Sequence, residues 1–139
     1  MKFIPNFKKF EKRQKGKKNK RINKVITFHN LFISKTYFFK ALENCKLNFI
    51  QLQAFYKSCK KLLKRSGKII LKVFTHIPTT KKPLEVRMGK GKGVINSWIV
   101  KIKKGITLCE IKCNKIILVK KIFKISKLKL PFRIMLFSL

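Results

Sequence analysis

The sequence predicts an α+β layer fold, and three observations lead there. Two segments carry apolar residues at three- and four-residue steps, the mark of helices that bury one side. Several shorter segments are strand-like and follow one another in runs, which argues for antiparallel layers and not for alternating βαβ units. The chain has 139 residues, 45% of them hydrophobic. That is enough for the core of one compact domain plus an extension, and global disorder is excluded.

Residues 7–24 read as a basic arm, with ten Lys or Arg between Lys8 and Lys24 against the single acid Glu11. Most such charge blocks are solvated tails; at this net charge, an arm that orders on RNA is the stronger expectation. We take 1–24 as the arm and 25–139 as one α+β domain. Residues 25–33 (VITFHNLFI) are strand-like, and 35–46 carry no clear period. Asn48 is a suitable helix N-cap, with Gln51 three residues on to complete a capping-box pattern. Leu52, Phe55, Tyr56, Cys59, Leu62 and Leu63 then form one apolar stripe, and Gln53, Lys57, Lys60, Lys61 and Lys64 lie opposite. Gly67 is expected to end this helix at C′.

A strand over 68–74 comes next, then a loop bounded by Pro78 and Pro83. Two alternating segments, 98–103 and 106–112, are expected to pair as a hairpin through Lys104 and Gly105. Residues 114–128 read as a second helix. Leu118, Val119, Ile122, Phe123 and Ile125 lie on one side, and Lys120, Lys121, Lys124 and Lys127 on the other. Pro131 stops it, and 132–137 make a closing strand.

Against the apolar core stand 37 Lys and Arg and only four acids, for a formal net charge of +33. A free, compact monomer of that charge repels itself, so the chain is expected to lie against a polyanion. A basic surface around a folded core fits nucleic acid better than anionic lipid, and no apolar run reaches the length of a membrane span. The cations are 32 Lys and five Arg, beside 18 Ile, 13 Phe and two Ala. These are the residues of A/T-rich codons, so part of the lysine content reflects the gene and not selection for binding.

Cys45, Cys59, Cys109 and Cys113 include no Cys-x-x-Cys pair. Buried free thiols are the expectation, with no metal and no cofactor. His29 and His76 are isolated, and no carboxylate pair or nucleophile–base set can be assembled. An enzyme is not expected.

The most informative stretch is 85–98, EVRMGKGKGVINSW. Gly89, Gly91 and Gly93 can take positive φ and let the backbone approach a surface closely. Successive backbone N–H groups in such a loop can form an anion-binding concavity, and Lys90 and Lys92 add charge there. An ATP-binding P-loop is excluded, because Lys92 is followed by Gly93 and Val94 and not by Ser or Thr opening a helix.

The segment Lys82-Pro83-Leu84-Glu85-Val86-Arg87-Met88-Gly89-Lys90-Gly91-Lys92-Gly93, with Trp98 after four more residues, resembles the large-subunit ribosomal protein L-sixteen family. This is the bacterial and organellar counterpart of eukaryotic L-ten, which carries a Lys-Pro-x-x-Val-Arg-Met-Gly-Lys-Gly-Lys-Gly segment with an aromatic at that spacing. Lys64-Arg65-Ser66-Gly67-Lys68-Ile69 and Lys72-Val73-Phe74 are similar to the family's helix end and following strand. Ile70 replaces an aromatic common there, and Thr75 a proline. Residues 9–16, KFEKRQKG, resemble the family's basic opening, with Glu11 in place of a basic residue. Lys129-Leu130-Pro131 resembles its ending.

The resemblance implies an α/β-hammerhead fold of antiparallel strands with two helices. It further implies a place in the large subunit beside the rRNA that shapes the aminoacyl-tRNA site. The implied tRNA-proximal loop comprises Lys82, Arg87, Met88, Gly89, Lys90, Gly91, Lys92 and Gly93. The rRNA-binding residues expected on the arm are Lys8, Lys9, Lys12, Arg13, Lys15, Lys17, Lys18, Lys20 and Arg21. On the first helix they are Lys57, Lys60, Lys61 and Lys64. Large-subunit rRNA, tRNA and neighbouring ribosomal proteins are the implied partners, with no membrane and no homo-oligomer. Eight residues precede the amino-terminal match, which leads us to expect no cleaved import sequence. With the A/T-rich composition, this suggests synthesis inside an organelle; plastid members of the family generally stay closer to the bacterial arm, which favours the mitochondrial ribosome. A nucleic-acid-binding protein of an organelle nucleoid is the alternative, and the loop gives that reading no support.

Overall fold

The structure is a computed structural model in which residues 4, 5, 12–14 and 36–138 are described; the strand expected over 25–33 lies outside them. The first element among the described residues is β1 (Thr36–Ala41), in the segment that showed no clear period. Tyr37, Phe38 and Phe39 are all buried. A central strand covered on both faces loses the polar–apolar alternation by which strands are read. β2 (Cys45–Asn48) follows and leads directly into α1 (Phe49–Leu63). As expected, Asn48 opens the helix, its N–H donating to Gln51 Oε1 at 3.1 Å. Leu52, Phe55, Cys59 and Leu63 are the buried stripe.

Gly67 does not cap the helix. The turn is made by Lys64, at φ +46°, whose N–H donates to Lys60 O at 3.0 Å. Gly67 instead opens β3 (Gly67–Leu71), which is shorter than the expected 68–74. It is needed there for space: a Cβ would lie 2.4 Å from Lys112 O and 2.8 Å from Leu63 Cδ2.

Residues around Pro78 are also a strand and not a loop, namely β4 (Ile77–Lys81). It is an edge strand, where a proline removes no interior ladder bond. β4 pairs antiparallel with β5 (Val94–Ile102), so the glycine–lysine segment is the connection of this hairpin. The hairpin expected between β5 and β6 (Thr107–Cys113) does not form. β5 lies in a three-stranded sheet of order β2-β5-β4. β6 lies in a four-stranded one, β3-β6-β1-β7, closed by β7 (Ile134–Ser138). Between them the chain changes sheets at a turn held by β1, Gly105 N–H donating to Ala41 O at 2.7 Å. Lys104 N–H donates to Asn44 Oδ1 at 2.8 Å. Alternation reports the strands but not their partners.

α2 (Ile116–Lys129) matches the second expected helix, with Val119 and Ile122 buried. Both helices pack on one face of the four-stranded sheet through Phe39. Its ring meets Phe55 edge-on at 6.3 Å and Phe123 at 5.5 Å. Where the helices cross, Ser126 Oγ donates to Ile122 O at 2.7 Å and lies 3.4 Å from Cys59 Sγ. The architecture is thus α+β, two helices with two antiparallel sheets.

All four cysteines are free, and Cys59, Cys109 and Cys113 are buried. Burial pushes the Cys59 and Cys109 thiols up, Cys109 well above its ordinary value. The folded state therefore holds these protons longer than the unfolded chain does. Their contribution to stability is present at neutral pH and declines as alkaline pH forces ionisation. Half-buried Cys45 should be alkylated at pH 8 in the native protein, whereas Cys59, Cys109 and Cys113 should react only after unfolding; peptide mass mapping with and without denaturant checks this. Phe39→Ala should cost about 3–5 kcal/mol in urea unfolding.

Candidate nucleic-acid interface

Residues 82–93 connect β4 to β5, and the ends of this loop are fixed by the ladder contact Lys81↔Val94. Gly89, Lys90 and Gly91 occupy consecutive positive-φ positions at +102°, +48° and +76°. Of the three glycines expected to do so, Gly93 is the exception. It permits close approach instead, since a Cβ would stand 2.6 Å from Lys81 O. Lys90, between two glycines, takes the left-handed conformation that the sequence reading had not given it. The tip is open to solvent: Met88 is 100% and Leu84 93% exposed, and Arg87, Lys90 and Lys92 are exposed with them.

The loop is nonetheless anchored. Lys82 Nζ donates to Gly89 O across its base, and Val86 N–H donates to Pro83 O at 3.4 Å. The arm is attached to it by a reciprocal pair of bonds. Lys12 Nζ donates to Lys92 O at 2.9 Å, and Lys92 Nζ donates to Arg13 O. The structure thereby brings together Lys12, Arg13, Lys82 and Lys92 from the arm and loop groups named by sequence. Lys8, Lys9, Lys15, Lys17, Lys18, Lys20 and Arg21 lie outside the described residues. Among the described residues, no carboxylate comes within 4 Å of Lys12, Arg13, Arg87, Lys90 or Lys92.

On α1, Lys57, Lys60, Lys61 and Lys64 are exposed, opposite the buried stripe. α2 presents Lys120, Lys121, Lys124 and Lys127 likewise, Lys127 Nζ standing 4.5 Å from the Phe123 ring centroid. Sequence reading missed a further set on the sheets. Register places Lys68 opposite Lys112 across β3 and β6, and Lys46 opposite Lys101 across β2 and β5. Each of these lysines stands in a strand-like stretch, but only the pairing shows that they face one another.

Among the described residues no group of three or more His, Cys, Asp or Glu is placed to hold a metal ion. No helix there is long and apolar enough to cross a membrane. Fold and site together define a polycationic α+β protein whose cations are displayed on helix faces, on the sheets and on an anchored loop. The family model for ribosomal protein L16p/L10e matches residues 5–137, and the chain belongs to that family. The large ribosomal subunit protein uL16 of Carsonella ruddii is 41% identical over 133 residues, covering 96% of each chain. That of Acinetobacter baylyi is 37% identical over 131 residues, 93% of this chain and 91% of the relative. That of Blochmanniella pennsylvanica is 37% identical over 130 residues, with 93% and 92% covered. These relatives are bacterial.

The two kinds of loop glycine should respond differently to alanine. Gly93→Ala drives a Cβ into backbone and should lower the thermal midpoint, at a cost of about 1–3 kcal/mol. Gly91→Ala meets no atom within 4 Å and is opposed only by its φ. It should cost about 1 kcal/mol. Equal losses in a calorimetric comparison would contradict this assignment.

Proposed function

We propose that this chain, as a structural constituent of the large ribosomal subunit, holds large-subunit rRNA and helps to position tRNA near the aminoacyl site and peptidyl-transferase region. The observation that carries the reading is the exposed, anchored loop at 82–93. Its backbone runs through three successive positive-φ residues, and its Lys92 is bonded to the arm. A loop of this kind can lay backbone N–H groups and lysines against a crowded phosphate surface. The bond-making chemistry of translation is left to rRNA.

In this reading Lys57, Lys60, Lys61 and Lys64 of α1 contact rRNA backbone, together with Lys8, Lys9, Lys12, Arg13, Lys15, Lys17, Lys18, Lys20 and Arg21 of the arm. Such contacts fix register and orientation without reading bases. The arm (1–24) and the domain (25–139) act as two parts of one clamp, in a single copy beside neighbouring large-subunit proteins. Lys82, Arg87, Met88, Lys90 and Lys92, with Gly89, Gly91 and Gly93, form the tRNA-proximal edge. The Lys-, Ile- and Phe-rich, Ala-poor composition supports an A/T-rich genetic compartment. We place the protein in the mitochondrial ribosome because plastid members of the family generally stay closer to the bacterial arm; recovery with plastid ribosomes in organelle fractionation would contradict this compartment.

Neutralising about eight phosphates of duplex-like RNA gives a slope of log affinity against log salt near −7. A nearly flat slope in a titration with large-subunit rRNA would contradict backbone binding. Lys90→Ala/Lys92→Ala should slow tRNA accommodation while assembled large subunits persist at wild-type abundance. Loss of assembled subunits with normal accommodation in those that remain would reverse the division of roles.

A further inference from the structure

The face of the four-stranded sheet turned away from the helices carries a set of cations that neither the loop nor the helices account for. Phe39 points toward the helices, where it meets Phe55 and Phe123. Its neighbour Phe38 therefore points the other way, since successive side chains alternate across a strand. Phe38 is in register with Glu110 of β6, and Glu110 with Ile70 of β3. Two residues along on the same face, Thr36, Lys112 and Lys68 stand in one row across β1, β6 and β3.

Side chains directly opposite in an antiparallel pair are about 5 Å apart at Cβ, and like charges so placed are destabilising. Lys68 is exposed and Lys112 half-buried. Glu110, the nearest acid by register, is committed to Lys72 at 2.9 Å. Among the described residues no carboxylate lies within 4 Å of Lys68 or Lys112. Lys40 adds to the same face, its Nζ 4.2 Å from the centroid of Phe137. Two opposed ammonium groups with a hydroxyl at the end of the row form a donor set for a single phosphate, and an anion between them removes their repulsion.

We propose that the Lys68–Lys112–Thr36 row is a second RNA-backbone contact, on the opposite side of the molecule from the helix lysines, so that the domain lies between two RNA segments. The inference rests on the rRNA-binding reading above. The full-length chain is titrated with purified large-subunit rRNA over a range of salt, as wild type, Lys68→Ala/Lys112→Ala and Lys60→Ala/Lys61→Ala. The sheet double variant should make the slope shallower by about two, one per lysine, as should the helix variant. In the free chain, Lys68→Glu should raise the thermal midpoint by about 1–4 °C by giving Lys112 an opposite charge. The same substitution should weaken rRNA binding.

An unchanged slope for the sheet variant, beside a shallower one for the helix variant, overturns this surface and leaves the rRNA reading intact. A nearly flat wild-type slope overturns both. A lower midpoint for Lys68→Glu in the free chain shows that the two ammonium groups are not in conflict, and it overturns the Lys68–Lys112–Thr36 row as an anion site.

Discussion

Electrostatic self-repulsion is the constraint from which the rest of this molecule follows. A formal charge of +33 on 139 residues, with four acids in all, leaves almost no intramolecular neutralisation. Among the described residues only Lys72–Glu110 and Arg133–Glu43 are ion pairs, at 2.9 and 3.6 Å. Both are partly or largely exposed, and such pairs contribute little to stability. Cohesion must therefore come from an uncharged interior. Among the described residues the buried set is apolar apart from three hydroxyl residues, Thr75, Thr107 and Ser126. Among the described residues no lysine or arginine is buried, and the charge is displaced to the surface, where a polyanion can meet it.

The interior that allows this is organised around β1. Phe39 joins both helices to the four-stranded sheet, and β1 pairs with β6 on one side and β7 on the other. Because the helices bury only narrow stripes against this sheet, their remaining surface is free to carry lysine. The three-stranded sheet serves a different end. Its β4–β5 hairpin projects the glycine–lysine loop, and the crossing at Gly105 ties that sheet back to β1. A rigid core thus presents basic surfaces whose geometry does not depend on mutual charge neutralisation. The reciprocal Lys12–Lys92 and Lys92–Arg13 bonds show one local solution to crowded cations, in which ammonium groups are satisfied by backbone carbonyls.

Much of this was legible in the sequence where a signal is local. The Asn48–Gln51 start, the stripe from Leu52 to Leu63 and the second helix depend on residues within a few turns of one another. The loop was legible through the spacing of Gly89, Gly91 and Gly93, although the roles of the three differ. What was not legible depends on partners distant in the chain. β1 was obscured because burial on both faces erased its period. Gly67 was read as a helix cap, whereas its reason lies in the approach of Lys112 O from β6. The expected β5–β6 hairpin failed because a tight turn with a glycine can also carry the chain from one sheet to another. The opposed lysines of the sheets were invisible for the same cause: register is a property of two strands, and composition reports each alone.

The most direct test of the central claim is sedimentation of the native protein from a lysate of its source cells, before and after magnesium removal separates the ribosomal subunits. Movement from the intact-ribosome peak to the large-subunit peak, with retention through a moderate-salt wash, is the predicted result. Sedimentation with DNA or membranes, and none with the large subunit, would contradict the account.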